Sequence, residues 1–315
     1  MTKILIAYPM EEKFRRIVEE ILPKDIIIYY EDMDKKSLED VEIVLVRSWR
    51  IARDIIHKLP KLKYIQYLFA GVDRIKTEEI PKGVVLLSNS GANARGVAEH
   101  ALSLLLTAAK KITWRDREMR IGNFPQTSES LLLTNKIAVI LGTGNIGREI
   151  AKMLRCLSVK VIGVNKSGRN PDNLFHEIYT IDKLKKVLAI ADFCIIALPL
   201  TPETENLIDE EKLSVMKKNA ILVNVGRGKI INERALYNHL RKNKSFIAAL
   251  DVWWKYPKQG EKFQQNCDFA SLDNVIMSPH CAGVYENYEI DLLKHALENI
   301  KLILLGKMPR NIILG

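Results

Sequence analysis

The feature that most constrains this chain is a glycine-rich turn placed between an apolar run and a helical pattern. Residues 137–148 read IAVILGTGNIGR, and a second apolar run at 159–164 follows at the spacing of a β-α-β unit. In such a unit Gly142 permits a tight turn, Gly144 lets the backbone approach a phosphate, and Gly147 lets the helix pack on the strand. The N–H groups at the helix start then form an anion site. The pattern predicts a dinucleotide site whose other loop residues are Thr143, Asn145 and Ile146.

Short apolar runs alternate with amphipathic segments along the chain, which predicts an α/β fold with two doubly wound parallel sheets. The length of 315 residues is enough for two domains. A long helix is predicted over 93–110, followed by a polar arm over 113–130 with scattered aromatic residues. Before that helix, strands are predicted at 4–7, 26–30, 41–46, 64–69 and 84–87, with helices at 12–22 and 52–57. After the arm, strands are predicted at 137–141, 159–164, 193–198, 220–225, 246–250 and 275–277, with helices at 182–189, 209–216, 232–242 and 287–305.

Charge and composition exclude several classes of protein. The net charge is +10, but Lys and Arg are spread without a basic block, so no nucleic-acid partner is expected. Apolar stretches such as 101–109 are far shorter than the roughly 18 residues of a membrane span, so we expect no membrane partner and a cytoplasmic location. The four cysteines show no C-x-x-C pair and no ligand spacing along the chain, so neither a disulfide framework nor a metal site is predicted.

Three charged or polar side chains follow predicted strands of the second series. Arg227 comes just after the strand 220–225, Asp251 after 246–250, and His280 after 275–277. Ligands of open α/β sheets bind at the carboxyl ends of the strands. An Arg, an Asp and a His at successive strand ends beside a dinucleotide loop therefore predict a site for hydride transfer.

These segments resemble the D-isomer-specific 2-hydroxyacid dehydrogenases, and the resemblance covers nearly the whole chain. The matching segments are FAGVDRI (69–75), GVAEHALSLLL (96–106), GTGNIGREIA (142–151), LPLTPETENLI (198–208), LVNVGRGKIINERAL (222–236), ALDVW (249–253) and SPHCAG (278–283). The resemblance implies a Rossmann nucleotide-binding domain at 95–281, inserted into a flavodoxin-like substrate domain made of 1–94 and 282–315. It also implies a homodimer formed through the nucleotide-binding domains, with the arm at 113–130 as a candidate to embrace the partner.

The resemblance implies a role for each site residue. Arg227 would pair with the substrate carboxylate and polarise the C2 carbonyl, and His280 would donate a proton to the carbonyl oxygen. Asp251 would hydrogen-bond the cofactor carboxamide, whereas His100 is expected to be structural. The backbone of Ala70, Gly71 and Val72 would hold the second carboxylate oxygen, and Arg50 could suit an extra phosphate. The other cofactor contacts implied are Leu198, Pro199, Thr204, Val225, Gly226 and Gly283.

Two positions depart from the family pattern. Most members carry a glutamate just before a proline after the DV dipeptide, where it favours the protonated catalytic histidine; here that residue is Tyr256. A phenol can orient an imidazole but adds no negative charge, so slower carbonyl reduction is predicted. Formate dehydrogenases, a branch of the same superfamily, also lack an acid at this position. A substrate other than a 2-oxo acid therefore stays an alternative.

The second departure lies at the end of the strand 159–164. NAD sites usually place an Asp or Glu there for the ribose hydroxyls. This chain reads Asn165, Lys166, Ser167, Gly168, Arg169, with no carboxylate and two cations, so NADP is preferred over NAD.

The sequence therefore predicts an enzyme that transfers a hydride between NAD(P)H and a small 2-oxo acid such as glyoxylate or hydroxypyruvate. One alternative is an enzyme like D-3-phosphoglycerate dehydrogenase. The other is a dinucleotide-binding regulator with low turnover, which Tyr256 would favour.

Overall fold

The computed structural model describes residues 2–29, 38–73, 75–170 and 172–314. The chain divides into two compact units, one made of Met1–Asn93 with Tyr285–Gly315 and the other of Ala94–Val284. The second unit is thus an insertion in the first. The boundaries predicted from the sequence lay after residues 94 and 281.

The first unit is a six-stranded sheet with the strand order β2-β1-β3-β4-β5-β13, and only the last pairing is antiparallel. The first five strands follow the flavodoxin order. The strands are β1 (Lys3–Ile6), β2 (Ile27–Tyr29), β3 (Val41–Val46), β4 (Tyr64–Tyr67), β5 (Val85–Leu87) and β13 (Ile312–Leu314). The helices are α1 (Glu12–Ile21), α2 (Trp49–Ile56) and α9 (Tyr288–Leu304).

The second unit is a seven-stranded, fully parallel sheet with the order β8-β7-β6-β9-β10-β11-β12. This is the Rossmann order with one further strand. The strands are β6 (Ile137–Leu141), β7 (Lys160–Val164), β8 (Glu177–Tyr179), β9 (Phe193–Ile196), β10 (Ile221–Asn224), β11 (Ile247–Leu250) and β12 (Val275–Met277). The helices are α3 (Ala94–Ala109), α4 (Ile112–Arg120), α5 (Asn145–Cys156), α6 (Leu184–Ile190), α7 (Glu210–Val215) and α8 (Glu233–Lys242).

The apolar runs form strands because helices cover both faces of each sheet. In β6, Val139 and Leu141 belong to the core on one face, while Ala138 and Ile140 belong to the core on the other. A parallel strand buried on both faces reads as a continuous apolar run rather than an alternating one. The prediction of two parallel-sheet α/β domains is confirmed.

Several elements differ from the prediction. The arm predicted over 113–130 is helical in its first part, as α4, and β8 and β13 had no predicted counterpart. Residue 30, the predicted end of the second strand, lies outside the described residues. Across the ranges described, no helix has both the length and the apolar character needed to cross a bilayer.

Candidate active site

The glycine-rich turn connects β6 to α5, as the sequence predicts. Gly142 has a φ of +99°, and a Cβ there would lie 2.6 Å from the carbonyl oxygen of Ala197. A Cβ on Gly147 would lie 1.9 Å from the carbonyl oxygen of Gly142. These two glycines are therefore required by the fold itself, because a side chain at either would collide with backbone.

Gly144 differs from both neighbours. It has ordinary backbone angles at the start of α5, and a Cβ built on it would have no atom within 4 Å. Nothing in the folded chain around it requires a glycine. The open space lies at the N-terminus of a 12-residue helix, where the first N–H groups lack intrahelical acceptors and the helix dipole favours an anion. The loop therefore fits the pyrophosphate of a dinucleotide.

Asn165 organises the loop that follows β7. Its Nδ2 donates to the Thr143 hydroxyl at 2.8 Å and to the carbonyl of Arg169 at 3.0 Å. Its Oδ1 accepts from the N–H groups of Ser167 at 3.1 Å and Gly168 at 2.6 Å. The asparagine thus ties this loop to the glycine-rich turn.

A cavity of about 250 Å³ lies beside this loop. Ser167 and Arg169 line it, and both are exposed. Arg148 also lines it and pairs there with Asp172. Lys166 is exposed. A hydrogen bond from Thr201 is the largest cause that lowers the pKa of the nearby Glu203 carboxyl, and the positive charge of Lys166 adds to this effect. Cations, a hydroxyl and the Asp172 carboxylate paired with Arg148 therefore border the loop after β7.

Arg227 follows β10 in a turn held by a buried asparagine. The Asn224 side chain donates to the carbonyl of Arg227 at 3.0 Å and accepts from the N–H of Gly226 at 3.0 Å. The Arg227 guanidinium donates to the carbonyl of Gly226 at 2.9 Å and is half-buried. The sequence did not single out Asn224, although an asparagine at the end of an apolar strand is a usable signal.

Asp251 follows β11 and is only 1% exposed. Its Oδ1 accepts from the Ser278 hydroxyl at 2.6 Å and from the N–H of Cys281 at 3.0 Å, and its Oδ2 accepts from the N–H of Ala282 at 3.1 Å. The His100 Nε2 lies 3.4 Å from Oδ1 and 3.0 Å from the Ser278 hydroxyl. Asp251 therefore holds the turn that carries His280.

His280 itself has a φ of +58°, a left-handed conformation that is uncommon for a side-chain-bearing residue. It is exposed, and its ring lies beside that of Tyr256, with centroids 5.2 Å apart. The Tyr256 hydroxyl accepts from the N–H of Trp253 at 3.2 Å, and the Trp253 indole donates to the carbonyl of Ser278 at 2.8 Å. Tyr256, predicted to stand at the position of a family glutamate, is thus an aromatic neighbour of the imidazole.

The remaining predicted cofactor contacts lie on loops at the same edge of the sheet. Val225 and Gly226 are buried after β10, and a Cβ on Gly226 would lie 2.7 Å from the carbonyl of Leu198. Thr204 is buried and donates to the carbonyl of Pro199 at 2.7 Å, which closes the loop after β9. Gly283 is half-buried after the turn of His280.

The predicted substrate residues of the first unit lie at the carboxyl edge of its sheet or on its helices. Ala70, Gly71 and Val72 follow β4 and are half-buried, and Arg50 is exposed in the first turn of α2. Arg47 was not predicted as a site residue, although it follows β3 directly and pairs with Glu289. Its position just after an apolar strand is the same signal that identified Arg227 and Asp251.

Comparisons with known proteins place these features in a family. Residues 102–282 match the model of the D-isomer specific 2-hydroxyacid dehydrogenase, NAD binding domain. The glyoxylate reductase of Aeropyrum pernix is 30% identical over 90% of this chain and 86% of its own length. The D-3-phosphoglycerate dehydrogenase of Methanocaldococcus jannaschii is 30% identical over 99% of this chain, which spans 59% of that protein. An acyclic imino acid reductase solved with NADPH and D-Arg is 25% identical, with a TM-score of 0.77 and 99% of each chain covered.

The fold and the match together define a Rossmann-containing oxidoreductase of the 2-hydroxyacid dehydrogenase class. The chain belongs to the D-isomer specific 2-hydroxyacid dehydrogenase family.

Proposed function

We propose that this chain is an NADP-preferring reductase of small 2-oxo acids such as glyoxylate and hydroxypyruvate. The observation that carries the proposal is the placement of Arg227, Asp251 and His280 after β10, β11 and β12. These strands are parallel neighbours, so the three residues share the sheet edge at which the glycine-rich turn follows β6. Ligands of such sheets bind at this edge.

Each residue has a chemical task in this proposal. The Arg227 guanidinium pairs with the substrate carboxylate and withdraws electron density from the C2 carbonyl. When bound, the reduced cofactor supplies the hydride that this carbon accepts. His280 donates a proton to the carbonyl oxygen, so the product is a 2-hydroxy acid. Asp251 fixes the turn of His280. Its Oδ2 accepts only the N–H of Ala282 within the described chain, so it can also accept a carboxamide N–H of the cofactor. Ala70, Gly71 and Val72 of the first unit stay a prediction for the second carboxylate oxygen.

The NADP preference rests on the loop after β7. Its organising residue is an asparagine rather than a carboxylate, so no negative charge at the end of β7 repels a 2′-phosphate. Ser167 and Arg169 border the cavity beside this loop, and Lys166 is exposed next to them. A phosphate is well matched by such charged and hydroxyl donors.

The experiment is a steady-state assay of NADPH and NADH oxidation with glyoxylate, hydroxypyruvate, 3-phosphohydroxypyruvate and pyruvate. We expect turnover with the first two acids, a higher kcat/KM for NADPH, and loss of activity in Arg227→Ala and His280→Ala. A strong NADH preference would contradict the cofactor proposal. Tight NADPH binding without turnover of any acid would instead favour a dinucleotide-binding regulator.

We further propose that the chain forms a homodimer and works in the cytoplasm. The arm at 113–130 exposes three large apolar side chains, Met119, Ile121 and Phe124, and Ile112 and Leu132 are exposed just outside its ends; association would cover these side chains. The four free thiols fit a reducing compartment. Sedimentation of the wild-type chain and of Ile121→Ser/Phe124→Ser tests the dimer, and a monomeric wild-type chain would contradict it.

A further inference from the structure

We propose that His100, Asp251 and Cys281 form a binding site for a thiophilic divalent cation such as Zn²⁺ or Cd²⁺. The three residues come from α3, from the end of β11 and from the turn after β12. The His100 ring nitrogen, an Asp251 carboxylate oxygen and the Cys281 sulfur all lie within 4.8 Å of one another. Spacing along the chain could not predict this cluster, because the sheet brings together residues that are far apart in sequence.

The donor set matches the ligands that Zn²⁺ takes in proteins, namely imidazole nitrogen, carboxylate oxygen and thiolate sulfur. The His100 Nε2 and the Asp251 Oδ1 are 3.4 Å apart. Bond lengths of about 2.0–2.1 Å to nitrogen and oxygen give a tetrahedral edge of about 3.4 Å, so this pair is already spaced as two ligands. With a Zn–S bond of about 2.3 Å the third corner lies about 3.6 Å from the other two donors. The sulfur is now at most 4.8 Å from them, so it has to move towards them by up to about 1.2 Å.

The surroundings of the cluster are polar and reachable. The Ser278 hydroxyl lies among the three groups, 2.6 Å from Asp251 Oδ1, 3.0 Å from His100 Nε2 and 3.4 Å from Cys281 Sγ. A cation bound by the three groups would take the place of this hydroxyl oxygen, so the Ser278 side chain has to turn to another rotamer when the cation enters. Asp251 is buried, whereas the His100 side chain is 26% exposed and Cys281 is partly exposed, so a cation and a water molecule as fourth ligand can enter from that side.

Binding requires no redox step. The Cys281 S–H bond breaks, its proton passes to solvent, and the thiolate forms a bond to the cation. His100 and Asp251 contribute lone pairs. The buried Asp251 carboxylate then has a full positive partner in addition to the backbone N–H groups of Cys281 and Ala282.

An occupied site would also affect the neighbouring turn. Cys281 directly follows His280, and its N–H donates to Asp251 Oδ1 at 3.0 Å. A cation fixed to both side chains would restrain this turn and slow proton transfer by His280. This consequence rests on the proposed function, whereas the binding itself does not.

The test is titration of the full-length, reduced chain with Cd²⁺, followed by the ultraviolet absorption of cadmium thiolate. We expect one equivalent per chain to produce the band, and Cys281→Ala to abolish it. Cys156→Ala and Cys267→Ala are matched controls that should keep the band, and His100→Asn should weaken binding by about tenfold or more. Thermal unfolding confirms that each variant is folded.

Three results would overturn the site. They are no band in the reduced wild-type chain, a band that persists in Cys281→Ala, or a band that disappears in Cys156→Ala instead. If the assay with 2-oxo acids shows turnover, Zn²⁺ should inhibit the wild-type chain and spare Cys281→Ala; equal inhibition of both would overturn the link to the turn. If no acid is turned over, the proposed function fails, and the cadmium titration still decides the site.

Discussion

The ring of Tyr256 lies beside the imidazole of His280, with centroids 5.2 Å apart and ring planes inclined by 41°. The phenol oxygen accepts a hydrogen bond from the N–H of Trp253, which holds the tyrosine in its own loop. The proposed proton donor therefore has an aromatic neighbour at the position where the sequence resemblance leads us to expect a glutamate. An aromatic ring can orient the imidazole, but it does not stabilise the imidazolium as a carboxylate does.

Replacement of Tyr256 by glutamate tests this difference. A carboxylate next to His280 stabilises the protonated imidazole, so the proton donor should persist to higher pH in Tyr256→Glu. The alkaline fall in kcat for glyoxylate reduction should therefore move to higher pH, and kcat near neutral pH should rise. Tyr256→Phe keeps the ring and should leave the alkaline limb unmoved. Unchanged profiles in Tyr256→Glu would show that Tyr256 does not limit proton donation.

The loop after β7 allows a direct test of cofactor preference. Asn165→Asp retains the oxygen that accepts from Ser167 and Gly168, and it places a negative charge at the strand end. It also removes the Nδ2 donor to Thr143 and Arg169, so Tm is measured beside the kinetics to show that the loop still folds. We expect kcat/KM for NADPH to fall about tenfold relative to NADH, which is about 1.4 kcal/mol. Asn219→Asp, at an exposed asparagine that does not line the cavity beside this loop, is the control. A ratio that stays the same in Asn165→Asp would remove the basis for an NADP pocket here.

The sequence predicted the strand-end residues because the rule behind them is local. Arg227, Asp251 and His280 each stand within three positions of an apolar strand, and parallel strands bring such positions to one edge. The contacts of His100 with Asp251 and Ser278 could not be predicted, because these residues are far apart along the chain. His100 and Ser278, for example, are separated by 178 positions. The strand β13 was not predicted for a similar reason. Its three residues are exposed, and they form a strand only because they pair with β5.

The Asp251 carboxylate should be necessary for stability as well as for any cofactor contact. Asp251→Asn replaces one carboxylate oxygen, which accepts hydrogen bonds, by an NH₂ group, which donates them. This NH₂ group would face other donors, namely the Ser278 hydroxyl or the N–H groups of Cys281 and Ala282. An unpaired buried donor costs about 1–3 kcal/mol, so the free energy of unfolding of this unit should drop by roughly that amount. Asp273→Asn, at an exposed carboxylate, should change it by less than about 0.5 kcal/mol. Denaturant unfolding with equal effects of the two substitutions would contradict the network.

His295 makes the first unit sensitive to acid. Burial, assisted by the charge of Arg310, lowers the pKa of its imidazole below the ordinary value of 6.5. The neutral ring contacts Asn89 Oδ1 through Nδ1 at 2.7 Å. The unfolded chain binds this proton more readily, so stability is lost as the pH falls below about 6.5 towards the lowered value. Calorimetry should show that Tm falls less on acidification in His295→Gln than in the wild-type chain. His57→Gln changes an exposed histidine and should behave like the wild-type chain. Equal losses in all three would mean that His295 is not the source.

Gly144 and Gly147 separate what the cofactor requires from what the fold requires. A Cβ at position 144 meets no atom within 4 Å and the backbone angles there suit any residue, so Gly144→Ala should fold with an unchanged Tm. The same methyl group lies in the open space at the start of α5, where a pyrophosphate must approach the backbone. NADPH affinity, measured by calorimetric or fluorescence titration, should therefore fall about tenfold or more, or about 1.4 kcal/mol.

Gly147→Ala should give the opposite pattern. Its Cβ would stand 1.9 Å from the carbonyl oxygen of Gly142, so α5 must shift away from β6 and the Tm should fall. Overpacking of this kind costs about 1–3 kcal/mol. A Gly144→Ala chain that binds NADPH as well as the wild type would show that the dinucleotide does not lie against this loop. A Gly144→Ala chain that unfolds as early as Gly147→Ala would show that the space above Gly144 is needed by the protein itself.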